Sequence, residues 1–96
     1  MSPVMTFNHG NFEKKLKGLQ PTQESIQTLS LWCIHHREFH SNISEIWIKV
    51  FRESTSKQRL ALIFLANDIV QISKRKRHDG FRKSFLPSLK EALVLS

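Results

Sequence analysis

Apolar residues in this 96-residue chain recur at helical spacing from residue 12 almost to the end. Phe12, Leu16 and Leu19 fall at i, i+4 and i+7. Asn8 or Asn11 can cap that first helix, and Gly18 and Pro21 close it. Residues 1–10 are expected to be a flexible N-terminus. Thr22 then suits an N-cap, with Glu24 placed to favour the helix dipole. Ile26, Leu29, Cys33 and Ile34 carry the second helix to about Arg37, and Leu31 and Trp32 broaden its apolar face, which predicts neighbours on two sides. Ser41 or Asn42 is the expected cap of a third helix. Along it Ile43, Ile46, Trp47, Val50 and Phe51 match one face throughout. From Ser56 to about Lys76, Leu60, Leu62, Ile63, Phe64, Leu65, Ile69, Val70 and Ile72 surround most of the cylinder, the pattern of a central helix covered on most sides. A fifth segment places Phe81, Phe85, Leu89, Ala92 and Leu93 in register, and Pro87 is expected to kink or split it.

The pattern leaves no room for strands. With three glycines and three prolines there is little turn material for a β protein. The expectation is an all-α single domain over residues 11–96, with short connections and therefore mostly antiparallel neighbours. A chain this short buries only about two-thirds of its unfolded surface.

Composition narrows the setting. Cys33 is the only cysteine, which excludes an internal disulfide and a cysteine-based zinc cluster. No run approaches the ~18 apolar residues of a spanning helix. A soluble, intracellular protein is expected. The formal charge of +7 suggests an anionic partner without choosing among nucleic acid, phosphopeptide and acidic membrane.

Few residues suggest chemistry. His36 and His40 are one helical turn apart, but no carboxylate or cysteine joins them in a zinc pattern, so half-exposed histidines near a helix end are expected and no metal site. Nothing pairs a nucleophile with a base, and no glycine-rich loop could cradle phosphate; a non-catalytic binding module without cofactors is expected.

The segment from Ile63 to Arg77 is more informative. Asp68 sits mid-helix, where aspartate is a mediocre choice. Phe64 and Ile72 flank it on the same face, and Arg75 lies about two turns, ~10 Å, further on. This stripe could take a peptide offering an aromatic hydroxyl to Asp68 and a phosphate to Arg75. Equally, Asp68 could pair with a cation of a neighbouring helix. Lys74, Arg75, Lys76 and Arg77 could be a solvated helix end, a short nuclear-import signal or a phosphate-binding edge.

The segments "SIQTLSLWCIHHREFHSNISEIW", "RLALIFLANDIVQISKRKR" and "FRKSFLP" closely resemble the CID, the domain that binds the C-terminal repeats of the largest RNA polymerase II subunit. The resemblance is to the nuclear pre-mRNA regulation domain proteins and runs from about Phe12 to Ala92. It implies a right-handed superhelical array similar to VHS and ENTH domains, with about five of the usual eight helices present. It further implies a groove, made by the second, fourth and seventh helices, that takes extended Tyr-Ser-Pro-Thr-Ser-Pro-Ser repeats, usually phosphorylated. The family's helix-four aspartate, which meets the tyrosine hydroxyl, maps onto Asp68. Other contact positions map onto Pro21, Thr22, Gln23 and Ile26, and onto Phe64, Ile72 and Arg75.

There are departures. Near relatives carry tyrosine at the Phe64 position, asparagine at Ile72 and a polar residue at Pro21. The family domain normally continues for three more helices, which hold its phosphate-gripping arginine. The chain is therefore expected to be a fragment or a short family member, and an uncovered fifth-helix face promotes self-association. The function implied is recognition of phosphorylated polymerase repeats in transcription termination or pre-mRNA 3′-end processing, in the nucleus. Alternatives are a basic nucleic-acid-binding helical domain, with RNA as a secondary partner, and a VHS/ENTH-like trafficking module. No membrane partner is expected.

Overall fold

The computed structural model describes residues 8–95 as five α-helices and one short 3-10 turn, with no strand among the described residues. The helices are α1 (His9–Lys17), α2 (Gln23–His35), α3 (His40–Glu53), α4 (Ser56–Arg75) and α5 (Asp79–Leu95); the 3-10 turn, Arg37–Phe39, precedes α3. The N-terminus expected to be flexible lies mostly outside the described residues.

Local sequence accounts for most helix starts. The Asn8 side chain accepts from the Asn11 amide at 2.9 Å, and Thr22 accepts from the Ser25 amide at 3.3 Å. The Ser25 hydroxyl in turn accepts from the Gln20 amide, which tightens the turn between α1 and α2. Thr55 caps α4 through the Gln58 amide. The third start corrects expectation: no side chain caps α3, and neither Ser41 nor Asn42 is its N-cap. The 3-10 turn feeds directly into the helix, so both residues fall inside its first turn.

Packing also departs from a stack of antiparallel neighbours. The extensive pairs are α3 with α5, α2 with α4, α1 with α3 and, of sequential neighbours, α4 with α5, while α1–α2 and α2–α3 barely touch. Each helix lies mainly against the one two places along, which makes a superhelical array. The core runs through α3. Trp47, Phe51, Phe81 and Phe85 are fully buried; Trp47 stacks on Phe51 at 5.2 Å and meets Phe85 edge-on at 5.6 Å. The Trp47 indole N–H donates to the Leu62 carbonyl at 2.9 Å, so α4 is fixed to α3 by a buried polar contact as well as by packing.

Two residues of α4 tie helix ends together. The Gln58 amide donates to the carbonyls of Leu16 (2.9 Å) and Leu19 (3.1 Å); the Leu16 carbonyl also accepts from the Leu19 amide, so Gln58 reinforces the end of α1. The Arg59 guanidinium donates to the carbonyls of Phe51, Arg52 and Leu95 and lies over the Phe51 ring, joining the ends of α3 and α5.

Several apolar positions are less covered than their periodicity predicts. Leu60 and Phe64 on α4 are 50% and 45% exposed, and Leu31 on α2 is 49% exposed. On α5, Phe81, Phe85 and Ala92 are buried as expected, whereas Leu93 is 73% exposed. The helix α5 continues through Pro87 without splitting. Pro87 is exposed, so the amide hydrogen bond it cannot make is lost on the side where water replaces it.

Candidate peptide groove between the second and fourth helices

A cavity of about 410 Å³ opens between α2 and α4. Gln23, Ile26 and Gln27 line it from α2; Phe64, Asn67, Asp68, Ile72 and Arg75 line it from α4. The α4 positions are spaced so that successive turns of one helix face the same opening. Ile72, 7% exposed, forms an apolar floor, and the half-exposed Phe64 ring forms a wall.

Asp68 is half-buried in this opening, and its carboxylate makes no ion pair or hydrogen bond among the described residues. The helical array therefore gives its carboxylate no partner among the described residues. Arg75 is exposed and, among the four consecutive cations, is the one lining the groove. It too is without an ion-pair partner among the described residues.

Six of the eight residues expected to form a site thus share one cavity, and two do not. Pro21 is exposed and lies outside this cavity, and Thr22 faces a different depression while its hydroxyl caps α2. That larger depression, about 910 Å³, lies between the end of α1 and α2, with Leu31 and Trp32 in its lining and the Lys15 ammonium over the Trp32 ring. Sequence reasoning missed Gln27 and Asn67. Gln27 is one helical turn beyond Gln23, and Asn67 precedes Asp68. The spacing from Gln23 was the available signal for the first.

Other polar candidates are structural. The His36 ring nitrogen meets the Trp32 carbonyl at 2.8 Å, and its ring stacks on Trp32. His40 is hydrogen-bonded to Ser84 on α5 instead. Cys33 is fully buried, and burial pushes its thiol far above the usual range, so it is a core residue rather than a nucleophile. Among the described residues no group of three His, Cys, Asp or Glu side chains could hold a metal. The paired acids lie elsewhere: Glu13 with Lys17 and Lys49, and Glu91 in a two-pronged contact with Arg52.

Fold and groove together give a helical array with an acid and a cation lining one cavity of mixed polar and apolar character. The chain belongs to the CID domain family, whose model matches residues 10–95. It is 43% identical over 89 residues, 93% of this chain, to human "Regulation of nuclear pre-mRNA domain-containing protein 1A". It is 44% identical over 73 residues, 76% of this chain, to human protein 1B of that name, and 45% identical over 85 residues, 88% of this chain, to mouse protein 2. The chain spans 28%, 22% and 6% of the length of those three proteins. CID domains are protein-interaction modules.

Proposed function

We propose that this chain is a non-catalytic reader of phosphorylated Tyr-Ser-Pro-Thr-Ser-Pro-Ser repeats in the RNA polymerase II C-terminal domain, acting in transcription termination or pre-mRNA 3′-end processing in the nucleus. The observation that carries this reading is Asp68, a half-buried carboxylate with no partner among the described residues, lining a cavity beside Phe64 and Ile72. It accepts the tyrosine hydroxyl in a charge-assisted hydrogen bond while the ring lies against Phe64 and Ile72. Arg75 meets a phosphate further along. The amides of Gln23, Gln27 and Asn67 offer donors and acceptors to an extended peptide backbone. They stand in for hydrogen bonds that Ile72 cannot make. The names of the relatives support the nuclear setting.

The test is a titration of labelled repeat peptides with and without phosphate. Tighter binding of the phosphorylated form is expected; equal binding, or none, sinks the specific claim. A nucleic-acid reading draws on the charge of +7. It predicts a steep, sequence-indifferent salt slope against generic RNA. It has less support, because Phe12, Phe51, Phe81, Phe85 and Trp47 are fully buried and cannot stack on bases, although Phe64 is 45% exposed and Trp32 is only partly buried. Leu86, Leu93 and Val94 of α5 are 54%, 73% and 84% exposed, which supports pairing of this face with a further chain or a second copy. Concentration-dependent sedimentation reads out the second-copy case.

A further inference from the structure

Six of the fifteen Lys and Arg residues fall between positions 74 and 83, with Asp79 the one acid among them. Arg75 alone of these lines the groove. Lys74, Lys76 and Arg77 stand exposed just beyond its end, without ion-pair partners among the described residues, and Arg82 and Lys83 follow in the first turns of α5. A cationic helix end is common and by itself says little, since positive charge favours the C-terminal dipole. The backbone adds a second observation. Arg77 has φ 61°, the left-handed conformation. Its amide donates to the Lys74 carbonyl at 3.2 Å and the His78 amide donates to the Ser73 carbonyl at 2.8 Å. That is a Schellman closure, and Arg77 occupies the place where glycine is strongly favoured. A residue with a Cβ is strained there. Holding an arginine at a glycine position trades stability for a guanidinium at this spot, and such outliers are a reason to look for function.

We infer that Lys74, Lys76 and Arg77 form a second anion-binding position, contiguous with Arg75, that takes another phosphate of the same peptide. The inference rests on the peptide-binding reading of the groove. The helix rises only 1.5 Å per residue, so these side chains lie within one Debye length, ~8 Å, of Arg75 along the axis. A polyanion leaving the groove at Arg75 therefore meets them next. The buried aromatics favour a peptide over a base-stacked nucleic acid as that polyanion.

The experiment compares repeat peptides carrying one phosphate with peptides carrying a second phosphate three residues away in the same repeat, roughly 10 Å along an extended chain, on wild type, Arg77→Gly and Lys74→Gln/Lys76→Gln. Wild type is expected to bind the doubly phosphorylated peptide about fivefold tighter or more, as one further charged contact provides. Both variants should lose most of that gain and weaken the singly phosphorylated peptide by less, since its one phosphate is held by Arg75 directly. Arg77→Gly should also raise the melting temperature, because glycine relieves the left-handed strain, so a loss of the gain in that variant cannot come from unfolding. If wild type gains nothing from the second phosphate, or the variants keep the gain, the inference is overturned while the groove reading stands. If no repeat peptide binds at all, both fall. If polyuridylate matches the doubly phosphorylated peptide and is lost on the same substitutions, the edge is a nucleic-acid surface and the peptide assignment is wrong.

Discussion

Replacing Asp68 with asparagine separates recognition from stability, because the carboxylate has no partner among the described residues whose loss could unsettle the fold. Asparagine has nearly the same volume and a similar helix propensity, so the change in unfolding free energy should stay within about 0.5 kcal/mol. Binding is a different matter. A hydrogen bond to a charged group contributes about 1.5–3 kcal/mol and a neutral one about 0.5–1.5. The amide oxygen of the Asp68→Asn variant can still accept from a hydroxyl, so the expected loss is the difference, about 1–2 kcal/mol, or roughly five- to thirtyfold in Kd. Anisotropy titration of a phosphorylated repeat reads the affinity, and thermal denaturation reads the fold. A peptide whose tyrosine is replaced by phenylalanine completes a double-mutant cycle. It should bind wild type more weakly, and the asparagine variant should be less sensitive to that change. A melting temperature that falls by several degrees with affinity intact would refute the reasoning and make Asp68 a structural residue.

Three further outcomes test the frame around the groove. Trp47→Phe removes the bond to the Leu62 carbonyl and leaves a cavity beside Phe51 and Phe85, so it should cost about 2–3 kcal/mol, seen as a lower midpoint in urea, with peptide affinity unchanged. Gln58→Leu strips two hydrogen bonds from the end of α1 and should cost about 1–2 kcal/mol, with faster amide exchange in α1 than in α4. Contact with Lys17 and Lys49 holds the Glu13 carboxyl below its ordinary pKa of 4.5, and contact with Arg52 does the same for Glu91. A depressed folded pKa gives stability that is present above the unfolded value and lost as pH falls through the folded one. Stability should therefore hold from neutral pH down to about 5 and drop below 4.5, and Glu91→Gln should flatten part of that drop.

The α4 face was legible because helical period alone decides that Phe64, Asp68, Ile72 and Arg75 share a side. The caps at Asn8 and Thr22 were legible for the same local reason. What escaped the sequence depends on how helices meet. Gln27 and Asn67 enter the groove only because α2 lies against α4; the one-turn spacing from Gln23 was a signal for Gln27, and Asn67 had none. Ser41 and Asn42 have the right chemistry for a cap, but a 3-10 turn beginning upstream at Arg37 starts α3 before them. Leu31 and Leu60 look like core by hydropathy, yet the i to i+2 packing leaves their sides open. Thr22 was placed in the groove by resemblance, while its hydroxyl serves the first turn of its own helix.

The hub position of α3 has a consequence for genetics. It packs against α1, α4 and α5 yet contributes nothing to the lining of the groove between α2 and α4. Damage to α3 should therefore lower the amount of folded protein, whereas, if the proposed groove binds peptide, damage to the facing sides of α2 and α4 should lower what each folded molecule holds. A survey of random variants scored by total bound peptide would return α3 positions such as Trp47 first. The same survey divided by protein abundance should return Asp68, Arg75 and their neighbours in the groove.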